Sequence, residues 1–222
     1  MSYIEEVRHA KVLPENTSRD SARFRDAIER IDAANREDPN QESEDSQQHP
    51  KEMLYARRMT ACLERIAPDA SEAVRLAARA QHIRRWEIPR GQYPRDRQGY
   101  RRWRTDLGRF HAETAGEILT AAGYDADTIA RVQSLLRKAR IKTDPDCQLL
   151  EDVICLVFLE HYFAAFAEQH DEVKLVRILQ RTWKKMSPRG RRAALDLELP
   201  EALRALVEKA VAAQGAGDLA AG

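Results

Sequence analysis

The sequence predicts an all-α fold: one helical-bundle domain over residues 21–213, between a loose N-terminal arm (1–20) and a frayed tail (214–222). Three observations carry this. Apolar residues recur at intervals of three and four along most of the chain, the period of a helix face. No segment alternates apolar and polar residues as a half-buried strand does. Glycines and prolines gather at the junctions between periodic segments. At 222 residues, 43% hydrophobic and 33% charged, the chain is long enough for one sizeable core and short for two.

The elements follow in order. SARFRDAIERIDAANRED, from Ser21, places Phe24, Ala27, Ile28 and Ile31 on one helical face, and Asp38-Pro39 ends it. NQESEDSQQ is polar and acidic and reads as a loop with His49 at its exit. HPKEMLYARRMTACLERIAP forms an amphipathic helix stopping before Pro68, and DASEAVRLAARAQHI forms the next, capped by Asp69 or Ser71. An arginine-rich loop follows, with a short helix at RQGYRRWRTDL. HAETAGEILTAAG is a separate helix that Gly123 terminates, and DADTIARVQSLLRKARI is another. CQLLEDVICLVFLEHYFAAFAEQH is apolar nearly all round from Leu149 to Phe166, the signature of a buried central helix. DEVKLVRILQRTWKKM, RGRRAALDLE and a final helix from Glu201 to Ala213 complete the bundle.

A formal net charge of +1 gives no overall attraction to nucleic acid or membrane, so only local charge can select a partner. The three cysteines, Cys62, Cys147 and Cys155, contain no CxxC pair and suggest neither a disulfide framework nor a thiolate zinc site. No stretch resembles a signal peptide or reaches the roughly 20 apolar residues of a membrane span, so a cytoplasmic protein is expected.

The chemistry concentrates around histidines at helix boundaries. His49 precedes the first long helix, His82 closes the next, and His111 opens a third. Asp152 lies on the most apolar helix, where a carboxylate is costly unless paired or bound to a cation. Three imidazoles and a carboxylate make a candidate centre for one divalent transition metal, Mn²⁺, Fe²⁺ or Zn²⁺. Glu151 points about 100° away from Asp152 and is expected at the surface. Glu113, two residues after His111, can orient a metal-bound water or shuttle a proton. It suits equally a first-turn acid held by the helix dipole.

Between His82 and His111 stand nine arginines against three carboxylates, a local charge of +6, with Trp86, Tyr93, Tyr100 and Trp103 interleaved. Guanidinium forks bind phosphate and aromatic faces stack on bases. Arg84, Arg85, Trp86, Arg90, Tyr100 and Arg104 are the candidate substrate-binding residues, and Lys138 adds a charge. The alternative is a surface loop whose arginines pair with Asp and Glu while its tryptophans seal the core.

From His49 to Asp152 the chain resembles the HD-domain superfamily of helical metal-dependent phosphohydrolases. There a first histidine opens a helix, a His-Asp pair ends the next, and an aspartate sits on a late central helix. His49 with YARRMTACLERIAPDASEAVRLAARAQHI resembles the first two steps, FHAETAGEIL a helix bearing an additional histidine ligand, and QLLEDVICLVFLE the late helix. Ile83 stands where that family has the second residue of its His-Asp pair. The resemblance therefore implies a mononuclear His49, His82, His111, Asp152 site rather than a two-metal one. Over residues 24–210 the chain also resembles the family labelled DUF4202, whose label supplies no function.

The expected function is a metal-dependent phosphohydrolase acting on a phosphomonoester or nucleotide through a metal-activated water. The alternative is a non-catalytic HD-like module that binds a nucleotide or RNA through an arginine and aromatic pocket.

Overall fold

A computed structural model describes residues 21–139 and 143–218 of the chain. The expected arm at 1–20 and the last residues of the expected tail, 219–222, lie outside them. The fold is all-α apart from one small hairpin.

Helix α1 (Ala22–Arg36) begins where the Ser21 hydroxyl accepts from the Phe24 amide at 3.0 Å, and it buries Phe24, Ala27 and Ile31. The expected loop after it is instead an antiparallel hairpin, β1 (Gln41–Glu44) paired with β2 (Gln47–Pro50), with Glu42 opposite His49. Its turn residues Asp45 and Ser46 have φ of 49° and 64°, the pattern of a tight two-residue hairpin turn. Glu42 and Glu44, two apart on one strand face, both bond Arg58 on the following helix. Tertiary ion pairs thus hold strands too polar to be recognised by alternation.

Helix α2 (Lys51–Ile66) starts against Asp38, whose Oδ2 accepts from the Glu52 amide at 2.9 Å. Ser71 caps α3 (Glu72–Arg79) as expected. Arg79 forms a bidentate pair with Asp32 at 2.6 Å that ties α3 to α1. Two short turns, Arg85–Glu87 and Arg90–Gln92, lead to α4 (Arg97–Ala121). The two helices expected here are one, because the single Gly108 between Leu107 and His111 weakens a helix without ending it; His111 therefore lies in mid-helix. Gly123, with φ of +80°, follows its end as expected.

Helix α5 (Ala126–Arg137) packs along α4 and also meets α3. Helix α6 (Pro145–Val157) is the centre, with Leu150, Val153, Leu156 and Val157 fully buried against α2 and its neighbours. The long helix expected through residue 170 is interrupted by a π-type turn at Phe158–Tyr162 before α7 (Phe163–Ala167). Helices α8 (Glu172–Lys185), α9 (Pro188–Leu195) and α10 (Glu201–Asp218) close the domain. The α10 backbone continues past Ala213 to Asp218, although Gly215 and Gly217 are weak helix formers.

Candidate functional site

The turn beyond α3 meets the start of α2 at the site. Ile83 is fully buried and anchors the turn, so its neighbours Gln81 and His82 face a cleft. Arg84 takes a left-handed conformation, φ 50°, secured where its amide donates to Asn35 Oδ1 at 3.2 Å.

His82 is gripped on three sides. Its ring stacks on Tyr55 with centroids 3.9 Å apart and planes 11° from parallel. Nδ1 lies 3.1 Å from Glu52 Oε2, and Arg85 reaches Nε2 at 2.6 Å. The same guanidinium lies 3.2 Å from Nδ1, but its shorter contact to Nε2 and the carboxylate oxygen beside Nδ1 make Nε2 the acceptor and Nδ1 the donor to Glu52. His111 has the same tautomer, because Nδ1 donates to the Ile83 carbonyl at 2.8 Å and a carbonyl only accepts. Its Nε2 is buried with no partner among the described residues.

Burial drives the protonation states. It holds both imidazoles well below the usual histidine range, assisted at His82 by Arg85 and Arg104 and at His111 by His82. Burial also raises the Glu52 carboxyl to about 7, against the opposing pull of Arg85 and Lys51.

The cleft has two lobes that share Gln81, His82 and Arg104. One, of about 380 Å³, has Lys51, Arg85, Tyr55, Phe158 and Tyr162 in its wall. The π-type turn supplies the last two, a frequent use of this local widening. The other, of about 450 Å³, is walled by Arg109, Arg137, Lys138, His111 and Glu113.

The arginine run divides. Arg85 and Arg104 line the cleft and form no carboxylate ion pair among the described residues. Arg84 instead pairs with Glu37 and Glu87, away from it. Arg90 clamps its own loop by donating to the Tyr93 and Pro94 carbonyls at 2.8 and 2.6 Å. Trp86 is half-buried in the turn, and Tyr100 is 51% exposed beside Trp103; neither lines the cleft. Lys138 and Glu113 do line it.

The expected mononuclear metal centre is not assembled. Among the described residues no group of three or more His, Cys, Asp or Glu side chains is placed to hold a metal ion. His49 sits in β2 opposite Glu42. Only His82 and His111 come together, with ring centroids 6.0 Å apart, and a guanidinium occupies the His82 Nε2 lone pair. Asp152 is engaged elsewhere. Its Oδ1 accepts from the Ser187 amide at 2.8 Å and from Gln148 Nε2 at 3.1 Å, and its Oδ2 accepts from the Ser187 hydroxyl. These bonds fasten the start of α9 to α6. The donors as placed do not fit the expected ion. Glu151, expected at the surface, is buried; Lys138 and Lys185 hold its carboxyl below the usual range although burial opposes this.

Glu52, Tyr55, Gln81, Lys51, Phe158, Tyr162 and Arg137 are cleft residues that motif reading missed. Periodicity contains part of the signal. Glu52 falls in step with Tyr55, Met59 and Cys62, and Gln81 with Val74 and Ala78, so both share a buried helical phase.

A family model described as "Domain of unknown function (DUF4202)" matches residues 25–207, and the chain belongs to that family. No curated protein and no solved structure matches it.

Proposed function

We propose that this member of the DUF4202 family binds a phosphate-bearing small molecule in the cleft around His82. The observation that carries the reading is the convergence there of Lys51, Arg85, Arg104, Arg137 and Lys138, with Arg85 and Arg104 lacking carboxylate partners among the described residues. Burial lowers the proton affinity of the Arg85 guanidinium, so a desolvated cation awaits a counter-charge. Phosphate oxygens supply charge and bidentate acceptors together. The lobe volumes are those of small-molecule sites. In this reading the chain is an HD-like helical module, and the arginines outside the cleft serve the loop. RNA binding is the rival outcome.

The test is calorimetric titration with inorganic phosphate and with a nucleoside monophosphate at low salt, repeated on Arg104→Ala. Saturable binding that weakens at least tenfold in the variant supports the reading. Absence of binding in the wild type, or tight binding only of single-stranded RNA, defeats it.

Phosphomonoester hydrolysis is a second reading, favoured by the hydrogen-bonded Glu52–His82 pair inside the same cleft and by Glu113 on its wall. Release of inorganic phosphate, measured with and without added Mn²⁺, Fe²⁺ or Zn²⁺ and lost in His82→Asn, would establish it.

A further inference from the structure

The second lobe contains an imbalance that phosphate alone does not resolve. Among the described residues, two buried acceptors have no hydrogen-bond partner, His111 Nε2 and Gln81 Oε1, and both residues line this lobe. The Ile83 carbonyl fixes the His111 hydrogen on Nδ1, which leaves a lone pair on Nε2. Burial and the neighbouring cations keep that imidazole neutral. A lone pair repels a phosphate oxygen and calls for a donor. Buried polar atoms without partners are uncommon, and each carries a desolvation cost that a suitable ligand relieves.

We propose that the ligand is a hydroxyl-bearing phosphate ester, whose hydroxyls donate to His111 Nε2 and Gln81 Oε1 while its phosphate meets Arg104 and Lys138. The inference rests on the phosphate-binding reading and adds to it the chemistry of the ester group. Cations and acceptors occupy one lobe, so a single small molecule can satisfy both. Inorganic phosphate answers the cations and offers a P–OH in place of the two carbon-borne hydroxyls that the two acceptors can take. A polyol answers only the acceptors. His111 and Gln81 then act as specificity residues, because a ligand lacking the hydroxyls leaves both atoms desolvated and unpaired.

The probes are glycerol 3-phosphate and propyl phosphate, alike in length and charge and different in two hydroxyls, with inorganic phosphate as the reference. Affinities are measured by calorimetry for the wild type, His111→Asn and Gln81→Met. Asparagine retains an N–H for the Ile83 carbonyl but removes the Nε2 lone pair. The wild type is expected to prefer glycerol 3-phosphate by about tenfold. Each variant should shrink that preference, and circular dichroism with thermal melting shows separately that the variants are folded. Equal affinities for the two esters in the wild type, or a preference that survives both substitutions, overturns the inference and leaves phosphate binding standing. Failure of all three probes to bind overturns both.

Discussion

Asp152 separates a ligand from a structural anchor. Replacing it with alanine removes three hydrogen bonds to a buried carboxylate, from the Ser187 amide, the Ser187 hydroxyl and Gln148 Nε2. Such bonds contribute about 1.5–3 kcal/mol each before the carboxylate's own desolvation is recovered. Asp152 is 1% exposed, and Gly190 packs so closely that an added Cβ would fall 2.6 Å from its Cγ. The truncation therefore also leaves a hole beneath α9. Together these give a net loss of about 3 kcal/mol, or roughly 6–12 °C in melting temperature for a chain of this size. Asp152→Asn behaves differently. Its Oδ1 keeps the bonds from Ser187 N and Gln148, and its amide donates to the Ser187 hydroxyl, so the cost falls to about 1 kcal/mol. Urea denaturation of the two variants beside the wild type reads these values, and phosphate titration of the folded proteins reads the cleft. An anchor gives the stability ranking alanine, asparagine, wild type with unchanged phosphate affinity. Unaltered stability together with lost binding in both variants would refute the anchor role and return Asp152 to the site.

The pH dependence of stability follows from Glu52. Its carboxyl is near 7 when folded and near 4.5 ordinarily, so folding favours the protonated form. That contribution is whole below about pH 4.5 and is lost as pH rises through 7, to a total of up to about 3 kcal/mol. Glu52→Gln keeps an acceptor for His82 and should flatten the decline between those values; a parallel wild-type and variant profile would count against it. Lys138→Met leaves the buried Glu151 with only the more distant Lys185 and should cost about 2–3 kcal/mol. Adding Glu151→Leu should restore part of this, and a double variant less stable than the single would contradict the pairing. Gly99→Ala drives a Cβ to 2.2 Å from the Pro94 carbonyl oxygen, and a loss of about 1–3 kcal/mol is expected by thermal melting. A neutral result would mean that the loop before α4 yields freely.

Periodicity and punctuation determined the helical class, a cap for α3 at Asp69 or Ser71, the stop at Gly123 and the burial of α6. These depend on neighbours within a turn or two, which a sequence displays directly. Arginine density between His82 and His111 likewise marked the region of the cleft and two of its cations, Arg85 and Arg104. Which arginines remain available was decided in three dimensions. Arg84 and Arg85 are adjacent, yet the left-handed turn at Arg84 sends one guanidinium to Glu37 and the other to His82. The hairpin depends on Arg58 reaching across to Glu42 and Glu44, and no strand pattern encodes that bond. The partner of Asp152 is Ser187, on an element far along the chain, so spacing made a ligand of a carboxylate that packing uses as a clasp. Local periods fix elements because hydrogen bonding and burial along a helix are short-range. A charged side chain takes its meaning from whichever opposite charge the fold brings beside it, and that remains open until the chain has closed.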